Sequence, residues 1–278
     1  AAAGVQPILG MTARVTAPAG LIEDGSPGEL TLLANGPAGY RSLCRLASTL
    51  QTGAGQDAPD APPPTALDWA TLVANAAGLV CLSGGRRGWV DRLLRRDDRA
   101  AAARVVSRLA GIFGEAAWLA LEVHERPGDV ALAQEIVTLA NRFGLGTVAV
   151  QPVYCLEAAE RPRLRLLAAI ARNKLLADLT PADLPDDGDP AVDLHWLDPA
   201  QMAARFARFP AALAATAQIA AACTPALPDG RPIWPVLALP AGATPDDALA
   251  EQALAGLARR YSPRQADPVL WLSLIHIS

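Results

Sequence analysis

Residues 29–48 read ELTLLANGPAGYRSLCRLAS, and their patterning is that of a strand running through a turn into a helix. Glu29 to Ala34 is a short apolar run, closed by the turn-forming Asn35-Gly36-Pro37. Pro37 suits the first turn of a helix, where a missing N–H costs no intrahelical bond. Beyond it Tyr40, Leu43, Cys44, Leu46 and Ala47 recur near one face with a period of about 3.6. Working outward, Val5 to Leu9 is a candidate strand upstream. Downstream, Gly78 to Ser83 (GLVCLS) reads as a buried strand ending in the turn Gly84-Gly85. Ala100 to Phe113 is helical, and Trp118 to Val123 (WLALEV) is a strand. Asp129 to Phe143 is a helix with Leu132, Ile136, Leu139 and Ala140 inward, and Gly144 supplies a left-handed stop. Gly146 to Val150 is the next strand. Strands alternating with helices at this spacing predict an α/β fold with largely parallel strands.

Between and beyond these elements the chain changes character. Residues 52–64 (TGAGQDAPDAPPP) are too rich in Pro, Gly and Ala to pack and read as a linker or exposed loop. From Arg161 onward the pattern is mostly helical. Thr180 to Pro190 is acidic, rich in proline and read as flexible. Pro199 to Ala207 and Ala211 to Ala222 form two short helices split by Pro210. Thr244 caps a last helix through Leu257, with Pro245 at its first position.

The 278 residues are 51% hydrophobic, enough for one large domain or two modest ones with a real core. A net charge of -4 gives no global drive toward nucleic acid, although it leaves room for a local basic patch. Cys44, Cys81, Cys155 and Cys223 stand far apart with no C-x-x-C pair, and read as buried thiols of a reducing cytoplasm. Ala1 to Ala3 carry no basic signal-peptide region, and no apolar run reaches the roughly 18 residues of a membrane span. The expectation is a cytoplasmic protein with no membrane partner.

Several segments resemble, in order, the polymerase-and-histidinol-phosphatase (PHP) region of the family C DNA polymerases, the bacterial replicative alpha subunit and its error-prone paralogue. GVQPILG (residues 4–10) resembles the family's Gly-Val-x-Pro-Ile-x-Gly strand, and residues 29–48 its Leu-Leu-Ala, Gly-Tyr-x-Asn-Leu unit. GLVCLSGGRRGWVDRLL is similar to its Leu-Ser-Gly turn and helix. HWLDPAQMAARFARFPAALAATAQIAAAC resembles the segment after the PHP core, and PIWPVLALPAGATPDDALAEQALAGLARRY the entry toward the palm. Each motif is weak alone; their collinear order from Val5 to Tyr261 is the signal.

The resemblance implies an incomplete PHP-type, barrel-like α/β domain followed by a mostly helical segment leading to the polymerase palm. Residues 1–178 correspond to the partial PHP domain, 179–261 to the helical link and 262–278 to a truncated end. Within that end Leu272 to Ser278 (LSLIHIS) reads as a translated sequencing adapter. It further implies that a His-x-His strand and a Thr-Asp-His segment stand upstream of GVQPILG. The palm carboxylates that hold magnesium would stand downstream, so magnesium belongs to the parent chain and no cofactor to this stretch. With the upstream strands absent, Val5 to Leu9 and Glu29 to Ala34 are expected to present an unpaired edge.

An active PHP domain holds metals on His, Asp, Glu and Cys side chains at strand ends, and such ions activate water. The positions that the resemblance identifies here are Thr12, Glu29, Arg86, Pro152 and Tyr154. Thr12 is a neutral hydroxyl where the family has an acid. Glu29 stands where it often has His and is able to ligate. Arg86, beside the Leu-Ser-Gly turn, repels a cation. Pro152 and Tyr154 replace an Asp and a His; proline has no donor atom, and a phenol with a pKa near ~10 is a poor substitute for imidazole. The expected metal site is therefore degenerate, with neither catalytic nor metal-binding residues. Glu122 and His124 read as a strand-end hydrogen bond or ion pair, His195 as a surface or packing residue beside Trp196, and His276 as part of the adapter.

Eight arginines, from Arg86 and Arg87 through Arg92, Arg95, Arg96 and Arg99 to Arg104 and Arg108, stand against Asp91, Asp97 and Asp98. The cluster reads as a solvated helix face with local ion pairs; the functional alternative is a contact with DNA phosphates or a partner subunit. Trp89 is the one aromatic there that could stack on a base. Three functions follow. The first is a non-catalytic structural domain of a DNA polymerase, with the rest of that chain, proofreading or other replisome subunits and, through the parent, DNA as partners. The second is a metal-dependent phosphoesterase, and the third an independent α/β interaction module.

Overall fold

The strand-turn-helix of residues 28–52 occupies the middle of the sheet in the computed structural model, which describes residues 5–17, 20–22, 25–52, 65–124, 126–227, 238–239 and 242–261. The strands are β1 (Gly10–Thr16), β2 (Gly28–Ala34), β3 (Leu67–Asp68), β4 (Leu79–Leu82), β5 (Ala117–Glu122) and β6 (Gly146–Val150). They form one sheet in the order β3-β1-β2-β4-β5-β6. The helices are α1 (Gly36–Thr52), α2 (Trp69–Ala74), α3 (Trp89–Arg95), α4 (Arg99–Phe113), α5 (Asp129–Arg142), α6 (Arg161–Arg172), α7 (Pro199–Arg205), α8 (Pro210–Ala222) and α9 (Pro245–Tyr261). The mixed α/β class expected from the sequence is the one observed.

Three expectations change. The sheet is mixed: β4, β5 and β6 are parallel, as are β1 and β3, but β2 runs antiparallel to both β1 and β4. Residues 17–27, between β1 and β2, are fewer than the dozen or so that a parallel crossover needs. The first strand is Gly10–Thr16 and not Val5 to Leu9. Pro7 interrupts the earlier run, where Val5 is 68% exposed, whereas Ala13 and Val15 alternate into the core from β1. Glu29 to Ala34 is no edge, because β2 is paired on both sides.

The core follows the pleat. Leu30, Leu32 and Ala34 of β2 are buried, and Leu79 and Cys81 of β4 join them in one cluster with Leu43 and Leu46 of α1 and Val105, Val106 and Leu109 of α4. Val80 and Leu82 point to the other side, where they meet Val148 of β6, Ala215 and Ile219 of α8, and Cys223 just past its end. The unbroken apolar run of β4 is thus explained: both of its faces are covered. Residues past 178 therefore help to bury the sheet. The expected boundary at 178/179 falls inside the first of two compact units, Ala1–Pro228 and Asp229–Ser278.

Helix ends follow sequence chemistry. Gly144 adopts φ +67° after α5. Pro210 opens α8, as expected from the break between the two short helices. In the second unit Thr244 Oγ accepts from the Asp247 N–H (3.2 Å) and Asp247 accepts from the Thr244 N–H (3.1 Å), and α9 continues past Leu257 to Tyr261. The four cysteines are free; Cys81 and Cys223 are buried as expected, but Cys44 is exposed. On α1 the inward stripe runs through Gly39, Ser42, Leu43 and Leu46, leaving Cys44 outside it. Residues 53–64 of the linker and all of 262–278, adapter-like tail included, lie outside the described residues. No described helix is long and apolar enough to cross a membrane.

Candidate functional site

A cavity of about 310 Å³ opens where the C-terminal ends of β4, β5 and β6 meet the outer residues of β1 and β2. Thr12, Glu29, Pro152 and Tyr154, four of the positions picked out by sequence, all line it, together with Glu122 and Asp186. Arg86 is the exception. Its neighbours Gly85 and Arg87 line the cavity, while its guanidinium reaches Asp189 at 3.5 Å.

The Gly84-Gly85 turn is dictated by close approach. Gly84 has φ +84°, and a Cβ there would stand 1.9 Å from the Glu29 carbonyl oxygen. Gly85 has φ +55°, and its Cβ would stand 2.3 Å from Glu122 Oε2. Only glycine supplies both the left-handed backbone and the space. The turn then delivers the Arg86 N–H to Glu122 Oε2 at 3.0 Å and the Arg87 side chain to Glu29 Oε1 at 2.9 Å.

Glu122 is held from its other oxygen as well. Its Oε1 lies 2.8 Å from His124 Nε2, and the His124 ring is wholly buried. His124 Nδ1 lies 3.2 Å from the Asp193 N–H and accepts from it. A nitrogen that accepts carries no proton, so the imidazole proton is on Nε2 and is donated to Glu122. The expected Glu122–His124 bond is thus present, and His124 also ties β5 to the 190s. Thr12 and Thr31, directly opposite on β1 and β2, bring their hydroxyls to 3.4 Å.

The far wall comes from outside the sheet. The Tyr154 N–H donates to the Leu194 carbonyl (2.8 Å), and Gln151 Nε2 donates to the Asp193 carbonyl (2.9 Å). His195 bridges to Cys155 and does not line the cavity. Asp186 stands in a turn with φ +47° and is buried. Burial first, and then the charge of Glu122, push its carboxyl above the ordinary range, while Arg87 and Arg86 oppose the rise. Burial, followed by the charge of Asp186, also raises the Tyr154 phenol, which stays protonated at neutral pH.

Sequence reading missed Asp186. The acidic stretch around it was read as flexible, yet it is a run of short turns with polar anchors. Lys174 Nζ meets Asp183 at 2.9 Å, and Arg126 meets Asp189 at 2.6 Å. Arg161 donates to the carbonyls of Asp189 and Val192. The one sequence signal was the Thr180-Pro-Ala-Asp183 spacing, a capping box that the structure forms.

The arginine cluster divides in two. Arg87 pairs with Glu29, Arg95 with Asp91 and Asp129, and Arg99 with Asp97 and Glu135. Arg92 donates to the Pro27 carbonyl and to the Ser26 hydroxyl. In this half Arg95–Asp91 and Arg99–Asp97 are the local ion pairs expected, and the other carboxylates come from distant parts of the sequence. Arg104 and Arg108 are exposed and form no ion pair among the described residues. Trp89 is no stacking platform: it is 1% exposed, leans on Trp69 at 5.9 Å and donates its indole N–H to the Ser26 carbonyl at 3.0 Å.

Comparison with known proteins places this arrangement. A family model described as the PHP domain matches residues 1–126. The chain is 28% identical over 264 residues to a DNA polymerase III subunit alpha of Bacillus subtilis, covering 94% of this chain and 22% of that protein. It is 32% identical over 273 residues to an error-prone DNA polymerase of Symbiobacterium thermophilum, covering 93% and 24%. A further error-prone DNA polymerase, of Mycobacterium tuberculosis, is 29% identical over 275 residues, covering 98% and 24%. The chain thus spans about a quarter of the length of the curated relatives it matches. Residues 1–126, which carry β1 to β5 of the sheet, match a PHP domain, and the chain is similar over more than nine-tenths of its length to bacterial DNA polymerases that carry the names DNA polymerase III subunit alpha and error-prone DNA polymerase.

Proposed function

We propose that this PHP domain is a structural part of a bacterial DNA polymerase chain, replicative or error-prone, and that its metal site is degenerate. In this reading residues 179–261 lead from the PHP domain toward the palm. The partners are the rest of the polymerase chain, proofreading or other replisome subunits and, through the parent protein, DNA. The observation that carries the reading is that two of the three carboxylates in the cavity are already engaged. Glu29 faces the Arg87 guanidinium, and Glu122 accepts from His124 on one oxygen and from the Arg86 N–H on the other. A closed zinc site needs about four protein ligands and a catalytic one about three. Here Thr12 and Pro152 offer no anionic donor and Tyr154 holds its proton. Among the described residues no three His, Cys, Asp or Glu side chains are arranged as metal ligands. The donor set does not fit a metal cluster, and the Arg87 guanidinium lines the cavity beside Glu29.

A second reading, a metal-dependent phosphoesterase, draws support from one observation: Glu29, Glu122 and Asp186 line a single polar cavity. Elemental analysis of the chain after dialysis without chelator separates the two. The structural reading expects less than a stoichiometric amount of zinc or manganese, an unchanged melting temperature on adding EDTA, and no manganese-dependent phosphodiester cleavage. One equivalent of metal that is lost in Glu29→Ala would overturn it.

A further inference from the structure

We propose that the open half of the arginine cluster, on α4, binds the phosphate backbone of duplex DNA. Of the arginines described above, Arg86, Arg87, Arg95 and Arg99 pair with carboxylates, and Arg92 donates to a carbonyl and a hydroxyl. Arg104 and Arg108 stand one helical turn apart, about 6 Å along the axis of α4, and both face solvent. With Ser107 between them they line a groove of about 460 Å³ whose floor includes Leu21 and Phe143. The Arg142 guanidinium lies 5.7 Å from the centroid of the Phe143 ring but does not line the groove itself. Among the described residues no carboxylate lines it.

The charged groups of this lining are both cationic donors. A guanidinium fork matches two oxygens of a phosphate, and the Ser107 hydroxyl adds a neutral donor. Two forks repeated at one-turn spacing along a straight helix suit a polymer of phosphates better than a single small anion. The chain as a whole carries a charge of -4, so its overall field disfavours DNA and the contact is local. Binding of this kind carries no base specificity and weakens steeply with salt, because it is driven by counterion release. The choice of DNA as the phosphate polymer rests on the polymerase reading above; the groove itself does not depend on the state of the metal site.

The test is fluorescence anisotropy with the whole 278-residue chain and a labelled duplex of arbitrary sequence, from about 50 to about 200 mM salt. Each of Arg104→Ala and Arg108→Ala is expected to reduce the slope of log K against log salt by about 0.9, and to weaken binding about tenfold at the lowest salt. The R104K/R108K variant keeps the charge and should keep the slope. R165A/R172A removes two exposed arginines of α6 and should leave affinity near that of the parent. Equal melting temperatures across the set establish that all variants are folded. Unchanged binding by R104A/R108A, or an equal loss in R165A/R172A, overturns the proposal. So does Arg104-dependent binding of poly-glutamate in the absence of duplex binding, which would make the groove a site for an acidic protein. None of these outcomes bears on the metal content, which elemental analysis decides.

Discussion

One wall of the cavity is fixed by a large buried apolar core and the other mainly by polar bonds around a small apolar cluster. Leu30, Leu119 and Leu121 are fully buried around the strand ends that present Glu29 and Glu122. On the other side α6 buries only Leu164 and Ala169, while Leu166, Leu167 and Ile170 are at least half exposed. Beside a small apolar cluster of Leu164, Val192 and Leu194, what holds residues 151–194 in place is a set of ion pairs and main-chain bonds: Arg126 and Arg86 to Asp189, Arg161 to two carbonyls, His124 to the Asp193 N–H. Side chains anchored in a close-packed core are held by many contacts at once, whereas a polar bond near the surface contributes little beyond its own replacement by water. The cavity therefore has a stiff wall and a soft one.

The largest effect should come from the stiff wall. Trp89 is almost wholly buried beside Trp69, and a Cβ at Gly28 would meet its ring at 2.4 Å, a measure of how closely it is packed. Trp89→Ala is expected to cost about 3–5 kcal/mol of unfolding free energy in urea. Ile170→Ser, on the exposed face of α6, should change it by no more than about 0.5 kcal/mol. Comparable losses from the two would mean that α6 is as firmly embedded as the sheet.

The same contrast explains what could be read in the sequence. ELTLLA, GLVCLS, WLALEV and GTVAV were legible as strands because apolar side chains repeat where the pleat needs them. Four positions that the resemblance picked out come together because Glu29, Pro152 and Tyr154 sit at or just beyond strand ends and Thr12 lies on β1, paired with β2. The direction of β2 was not legible, since an apolar run reads alike in either direction. Asp186 was not legible either, because its burial comes from long-range pairs such as Arg126–Asp189, and no local period announces those. The division of the arginines escaped for the same reason: Asp91 is near Arg95 in sequence, but Asp129 and Glu135 are more than thirty residues from the arginines they meet.

The next effect in size lies at the junction of the two walls. Asp129 is 1% exposed and accepts from Arg95 (3.2 Å) and from the His124 N–H (3.0 Å). It thus ties α3 and α5 to the end of β5, next to the Glu122–His124 bond. Asp129→Ala leaves a buried N–H unsatisfied and removes one of two carboxylates from Arg95, a loss of about 3 kcal/mol by comparison with broken buried pairs. Asp129→Asn keeps an acceptor and should recover part of that. If both cost the same, the charge on Asp129 and not its hydrogen bonds holds the junction.

The smallest effect, and the one that distinguishes the soft wall most sharply, is on pH dependence. Two carboxylates three residues apart in that wall are shifted in opposite directions. The Thr180 main-chain N–H, followed by the Lys174 ammonium and the Thr180 hydroxyl, holds the Asp183 carboxyl well below the usual range. Burial and the nearby Glu122 charge hold Asp186 above it. For Asp183 the folded pKa is lower than the unfolded one, so its contribution is present above the unfolded value and is lost as pH falls through the folded value. For Asp186 the order is reversed: its contribution is present below the unfolded pKa and is lost as pH rises through the folded one. Urea midpoints measured from about pH 3 to pH 7 for the parent, Asp183→Asn and Asp186→Asn expose the two terms as differences from the parent. Asp183→Asn should lose most, relative to the parent, at the neutral end. Asp186→Asn should gain with rising pH, since an amide cannot ionise beside Glu122 and Glu29. Parallel curves for Asp186→Asn and the parent would place that carboxylate in water and remove it from the cavity wall.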